Sequence, residues 1–331
     1  MGQDEIAQFA GLLSAAAAKY VFTWWIYRNT QQFRLVGRVA DLIIYPVKSA
    51  KGVSVEAAQV SKLGLKSGDM MDRHWMVSKE NGTFANIAEQ PRLAAVNVTI
   101  SDNHICLDAE GMDTLNLPIT MTLSNDSKVL DLKMRDMETV GMDCGDAAAA
   151  WISKYLKKDG MRFVYSHPSL PKQEIRKKNT YYINRCRPSD KTAFADYSAV
   201  MLMTEPSLNN VNKALPDGKH VEVSWFRPNV VVSGCGEFAE DSWQKLRIGD
   251  NYFRQVKLCQ RCIVVTVDPD TGIRDPDTEP LKTMRRYRQH PEYRDNPILG
   301  INLAIDKFGG TIKVGDPVYA VVSNTPLPKD T

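Results

Sequence analysis

The stretch Lys257 to Gly272, KLCQRCIVVTVDPDTG, holds two cysteines three apart with an arginine between them, directly ahead of a β-branched run that stops at a turn. In a zinc knuckle such a pair needs a tight turn and a second pair of ligands. Here Cys106, Cys144, Cys186 and Cys235 are scattered singly, and none of the five histidines forms a ligand pair with a neighbour. In a thioredoxin-like site the motif opens a helix, but Ile263-Val264-Val265-Thr266-Val267 has the composition of a strand. If the motif begins a strand, residues three apart point to opposite faces, so one cysteine faces a cavity while the other faces the core. An outward thiolate suits a metal that accepts a soft sulfur donor and takes its other ligands from a cofactor. It also suits a nucleophile beside a cation such as Arg261, and two buried structural cysteines are the plain alternative.

Three further groupings carry polar chemistry. Pro46-Val47-Lys48-Ser49-Ala50-Lys51-Gly52 sets two lysines and a hydroxyl ahead of a glycine, straight after a strand-like run. Such a loop suits an anionic group, although the remaining glycines and the following helix of a nucleotide-phosphate loop are missing. Asp72-Arg73-His74-Trp75 puts an arginine at the start of an expected strand, and Phe226-Arg227-Pro228-Asn229 puts another between two. A guanidinium offers a planar fork to a phosphate or a pterin ring, and Asn229 offers both a donor and an acceptor. Taken alone, each also reads as an ordinary turn with an ion pair, and His74 as a satisfied structural histidine.

The elements that must position these residues are mainly strands. The chain of 331 residues is long enough for two domains. A net charge of +3 is too weak to argue for nucleic acid, and six cysteines without framework spacing point to a reducing compartment and no disulfides. Phe9 to Tyr27 carries a single charge, Lys19, and ends in Trp24, Trp25 and Tyr27; as a helix it would reach ~28 Å, about the thickness of a bilayer core. A cleaved signal peptide and a buried core helix compete with an uncleaved anchor over residues 1–30. Arg28, Arg34 and Arg38 after the segment and acids before it favour the anchor, with the body on the cytosolic side.

From Val36 onward short apolar runs broken by turns predict antiparallel strands: Arg38 to Tyr45, Trp75 to Ser78, Ala94 to Ile100, His104 to Leu107 and Lys128 to Leu132. Asp143 to Lys158 is the one clear helix of this half, acidic at its start and basic at its end. Residues 166–192, rich in proline and charge, connect two units, with Lys172, Arg176, Lys177 and Lys178 on a solvated loop. The second unit predicts a strand over Ala199 to Met203 and a helix to Leu215 capped by Thr204. Strands follow over Val221 to Phe226, Val230 to Ser233, Leu246 to Ile248 and Tyr252 to Leu258, and Thr311 to Val321 closes as a hairpin turning at Gly315-Asp316.

Together the groupings resemble the MOSC family of molybdenum-cofactor-binding domains, and within it the mitochondrial amidoxime-reducing components. YPVKSAKG, DRHW, QPRL, DCG with a tryptophan seven residues after its cysteine, FRPNVVVSG, AEDSW, CQRC, TVDPDTG and GTIKVGDPVY stand in the family's order from about Val36 to Val321. The resemblance implies a mainly β chain with some α: an N-terminal MOSC-type β-barrel domain over 35–165, a linker over 166–192 and a C-terminal MOSC β-barrel domain over 193–323. It implies a pterin-based molybdenum cofactor (Mo-molybdopterin) between the two domains, with Cys262 as metal ligand. Lys48, Ser49, Arg73, Arg227, Asn229 and Arg261 fall on cofactor-contact positions, as do Tyr197, Ser198 and Gln260. Relatives often carry threonine where Tyr197 stands and serine where Gln260 stands.

The chemistry implied is reduction of N-hydroxylated compounds (amidoximes, hydroxylamines, hydroxamic acids) by two-electron oxygen removal at molybdenum. Asp268 and Asp270 are candidates for the proton relay, and equally for turn carboxylates that bond nearby amides. With no nicotinamide or flavin fingerprint in the chain, the resemblance assigns electron supply to cytochrome b5 and NADH-cytochrome b5 reductase. Lys282, Arg285, Arg286, Arg288 and Arg294 could face such an acidic partner or form a solvated helix. The location implied is the mitochondrial outer membrane, spanned once, with the catalytic body facing the cytosol. A cofactor carrier or a cysteine-based sulfur-transfer protein is the alternative function.

Overall fold

The structure, a computed structural model, describes residues 17, 19–23, 32–135, 137–175, 185–290 and 296–323. Seven strands form its central barrel: β1 (Arg34–Ile44), β2 (Val200–Thr204), β3 (Val230–Ser233), β4 (Trp243–Ile248), β5 (Asn251–Gln260), β6 (Ile298–Lys307) and β7 (Pro317–Val322). Their order is β3-β2-β6-β5-β4-β7-β1, and β1 returns to pair with β3, so no edge is left unpaired. Only β2 and β3 run parallel, which demands a crossover. That crossover runs through the helix Glu205–Ala214, whose first turn holds Pro206 and whose cap is Thr204, as expected, its hydroxyl accepting from Ser207 N at 3.4 Å. Leu42, Leu202, Val230, Trp243, Leu246, Phe253, Ile301, Leu303 and Val318 are buried in the main core.

The two halves of the sequence exchange strands. β1 comes from the first half yet closes the barrel of the second, while Thr311–Lys313 leaves the second half to pair with Ala57–Ser61. A second sheet joins Val129–Met134, Met137–Asp143, Met161–Tyr165 and Trp75–Lys79. Thr83 and Phe84 bridge to Lys133 and Ser78, at its two outer strands, and close it around Met76, Phe84, Leu132, Met134, Val164 and Phe194. The helix Asp146–Leu156, inside the span read from the sequence, sends Ala148, Trp151, Ile152 and Tyr155 into the core.

Four local expectations are corrected. Ile263–Thr266 is a 3-10 turn and not a strand; the ladder ends at Gln260, and Arg261 N turns aside to Pro297 O at 2.8 Å, so β-branched propensity yields to tertiary pairing. Val223–Phe226 is one turn of α-helix closed by Arg227 in the left-handed region. Thr311–Val321 is no hairpin, because its two strands part into different sheets. Ala94 and Ala95 end a 3-10 turn (Pro91–Ala95) ahead of the strand Asn97–Ser101. Lys172 is also not simply solvated: its ammonium donates to His167 O and Leu170 O at 2.5 and 3.0 Å, and burial brings its pKa down to about 8. Arg176, Lys177 and Lys178 lie outside the described residues, as does most of the expected anchor. Residues 17 and 19–23 are helical, and among the described residues no helix is long and apolar enough to cross a membrane.

β6 escaped the sequence reading because its alternation is broken. The register slips between Leu258 and Gln260 opposite a bulge at Gly300, which has φ 74°. A Cβ there would stand 2.5 Å from Leu202 O, so only glycine lets β2 approach. Gly300→Ala should cost at least ~3 kcal/mol in urea denaturation. Gly111→Ala, at φ 73° with open space around it, should cost ~1 kcal/mol.

Glu240 of the AEDSW motif is fully buried, its Oε2 accepting from the Thr204 and Ser207 hydroxyls at 3.0 and 2.9 Å. Burial, with Asp241 beside it, raises its pKa from 4.5 to about 7. Across that window the folded protein binds a proton the unfolded chain has released, so stability falls as pH rises. Glu240→Gln should match the parent below pH 4.5 and exceed it above pH 7 by up to ~3 kcal/mol, read as thermal or urea stability against pH.

Candidate functional site

The PVKS and DRHW motifs are zipped together by backbone bonds: Arg73 N donates to Tyr45 O at 2.6 Å, Lys48 N to Trp75 O at 2.7 Å and Trp75 N to Pro46 O at 3.1 Å. Gly52 lies against the Tyr45 ring, where a Cβ would meet it at 2.6 Å. The Asp72 carboxylate accepts from Tyr45 N at 2.9 Å, from Asn229 Nδ2 at 2.8 Å and from Arg73 Nη1 at 2.5 Å. Asn229 spends its amide on this knot, donating also to Ile43 O and accepting from Met201 N and Arg73 Nη1. The FRPN and DRHW motifs therefore meet on one buried carboxylate.

The knot aims two guanidiniums at one ring. Arg73 and Arg227 sit 4.8 and 4.5 Å from the centroid of Tyr45. Both adopt left-handed backbone, φ 52° and 58°, and Ser49 does so at 79°; for non-glycine residues that is stored strain of the kind concentrated at sites. Arg227 Nη2 and the Tyr45 hydroxyl are buried without a hydrogen-bond partner. Burial lowers Arg227 to about 10, helped by the Arg73 charge, and raises Tyr45 to about 12.

Lys48 joins the same cluster. Its buried ammonium lies 2.8 Å from Phe194 O and 3.1 Å from Asp196 Oδ1, and burial lowers its pKa against the pull of Asp196. Arg135 Nε stands 3.6 Å from the same carboxylate oxygen. Burial works against the Asp196 charge, but Lys48 and Arg135 outweigh it and hold the carboxyl below its ordinary value. Four cations (Lys48, Arg73, Arg135, Arg227) thus interact with two carboxylates (Asp72, Asp196). The surplus is positive.

Cys262 is exposed and Cys259 buried, the division expected between them, but for another reason: Cys259 lies on β5, and the chain has left the strand by Cys262. The Cys262 thiol and the Arg135 guanidinium interact electrostatically. Tyr197 stacks under Lys257 Nζ at 4.1 Å, and Lys257 reaches Gln260 Oε1 at 3.4 Å. Ser198 Oγ is buried between Val200 O and Asn302 Oδ1, at 2.9 and 3.2 Å. The Arg261 guanidinium is taken up by Leu299 O and Phe226 O, at 2.5 and 2.9 Å, so it positions the turn before Arg227. Asp268 accepts from the amides of Asp270 and Thr271, and Asp270 pairs with Lys51 at 2.6 Å.

Tyr45, Asp72, Arg135 and Asp196 were not singled out from the sequence. Asp72 and Asp196 adjoin residues that were, whereas nothing near Arg135 in the sequence points to it.

The chain is matched by two family models: MOSC N-terminal beta barrel domain over residues 36–159 and MOSC domain over 189–319. The protein is a two-domain MOSC protein. The chain is 40% identical over 300 residues to mitochondrial amidoxime reducing component 2 of Bos taurus, spanning 89% of this chain and 85% of that one. It is 38% identical over 319 residues to mitochondrial amidoxime-reducing component 1 of Homo sapiens, spanning 94% and 91%. The chain belongs to the family of mitochondrial amidoxime-reducing components.

Asn229→Ala should cost about 3 kcal/mol, since it leaves Met201 N and part of Asp72 unsatisfied in the core. Urea denaturation measures the loss, and a cost below ~1 kcal/mol would contradict the knot.

Proposed function

We propose that the protein is a molybdenum-cofactor-dependent reductase of N-hydroxylated compounds. The observation that carries the reading is the buried, unpartnered Arg227 Nη2 in a cluster with surplus positive charge, one of whose cations, Arg135, interacts electrostatically with the exposed Cys262. Buried cations without partners are costly unless a bound anion completes them, and the phosphate of a pterin cofactor fits that need. Among the described residues no three His, Cys, Asp or Glu side chains converge on a metal position. Cys262 therefore suits a metal whose remaining ligands arrive with the cofactor.

Lys48, Ser49, Arg73 and Arg227 would hold the phosphate and pterin, and Cys262 would give its sulfur to molybdenum. Asn229 and Arg261 act behind them as positioning residues, while Tyr197, Ser198 and Gln260 frame the opposite wall. When bound, the cofactor supplies two-electron removal of oxygen from an N–O bond. Asp196, held ionised by Lys48 and Arg135 and 38% exposed, is the acceptor for the substrate's N–H groups.

Electrons are supplied in this reading by cytochrome b5 and its NADH-dependent reductase, whose acidic surface suits the exposed Lys282, Arg285 and Arg286. Arg288 is instead engaged with Asp241 at 2.6 Å, and Arg294 lies outside the described residues. The relatives' names support a mitochondrial location, and the reading adds attachment to the outer membrane through the apolar N-terminal sequence, body outward; release of the full chain from mitochondria by alkaline carbonate would overturn it.

The cofactor-loaded protein should contain molybdenum and reduce benzamidoxime with reduced cytochrome b5. Cys262→Ala should lose both metal and turnover, and molybdenum retained in full by that variant would refute the ligand assignment.

A further inference from the structure

The four cations of the cluster are not equally placed. The side chains of Lys48 and Arg73 are 6% and 13% exposed, as befits groups that grip a permanently held cofactor, whereas that of Arg135 is 42% exposed. Arg135 stands on the turn that follows Val129–Met134, with a left-handed backbone at φ 59°, and so reaches the site from the N-terminal sheet and not from the barrel. It is also incompletely neutralised. Its only acidic neighbour at ion-pair distance among the described residues is Asp196, which lies closer to Lys48 (3.1 Å) than to Arg135 (3.6 Å). Tyr197 and Cys262, the residues on the reacting side, both fall within its field. An exposed, incompletely paired guanidinium at the Asp196 carboxylate meets an arriving molecule before the less exposed cations do, and it attracts negative charge.

We propose that Arg135 determines specificity, favouring N-hydroxylated substrates that carry an anionic substituent such as a carboxylate over their neutral counterparts. The inference deepens the reductase reading and rests on it. Asp196 takes the N–H end of the substrate and Arg135 the anionic end.

The test compares 4-carboxybenzamidoxime with benzamidoxime on the holoenzyme. The ratio of kcat/KM for the charged over the neutral compound should fall about tenfold in Arg135→Gln, recover in Arg135→Lys and fall further in Arg135→Glu, with the change carried by KM. A second readout needs no cofactor. In the full chain purified without cofactor, alkylation of Cys262 by iodoacetate and by iodoacetamide is followed by mass spectrometry of its peptide. Both reagents use the same thiolate, so their rate ratio reports only the local field. That ratio should drop several-fold in Arg135→Gln and lose its difference from the parent at high salt. An unchanged substrate ratio together with an unchanged reagent ratio overturns the proposal. If the loaded parent reduces neither amidoxime, the reductase reading fails instead, and the substrate preference falls with it even where the reagent ratio responds to Arg135.

Discussion

The Asp72 carboxylate, buried and shared among Tyr45 N, Asn229 Nδ2 and Arg73 Nη1, is the interaction on which the site depends. A buried ion pair is a poor source of net stability, because desolvating both charges offsets their attraction. What it supplies is position. Each oxygen of Asp72 has a defined donor, and those donors come from the end of β1, from the start of the Trp75–Lys79 strand and from the residue before β3. Segments distant in sequence are therefore fixed in one arrangement, and the guanidiniums of Arg73 and Arg227 follow onto the Tyr45 ring.

That arrangement carries a cost that the protein alone does not relieve. Ser49, Arg73, Arg135 and Arg227 hold left-handed backbone without being glycine, one guanidinium nitrogen is buried without an acceptor, and cations outnumber carboxylates. Like charges at this spacing repel, which is one cause of the depressed Arg227 value. A bound anion stabilises the folded state by binding it and not the unfolded chain, and here it also removes the repulsion. The strand exchange between the two halves has the same consequence. β1 and Thr311–Lys313 tie the halves together, so they resist separation by the charge they share.

The motifs were readable from the sequence because each is a short local run, and the knot brings their side chains together. Asp196 and Arg135 were not readable, because their meaning lies in a meeting between chain segments distant in sequence, which composition and spacing do not record. The cysteines are instructive in another way. Their division into buried and exposed was expected from alternation along a strand starting at Cys259, yet it arises because the strand ends there. A run such as Ile263-Val264-Val265-Thr266 declares a preference worth tenths of a kilocalorie per residue. The Arg261 side chain and amide, anchored to Leu299, Phe226 and Pro297, override it.

Arg261 shows why this cysteine motif needs an arginine and not merely a cation. Its fork bonds Leu299 O through Nε and Nη2 and Phe226 O through Nη1, which a single ammonium could not do in one geometry. Leu299 belongs to the bulged end of β6 beside Gly300, and Phe226 immediately precedes Arg227. One buried side chain thereby couples the turn that presents the Cys262 thiol to the turn that presents the Arg227 guanidinium. The Cys262 thiol and the Arg227 guanidinium are set in register by a residue whose guanidinium is spent on backbone carbonyls. The bulge that hides β6 from pattern reading is part of the same device, because it brings the Leu299 carbonyl to the guanidinium that needs it.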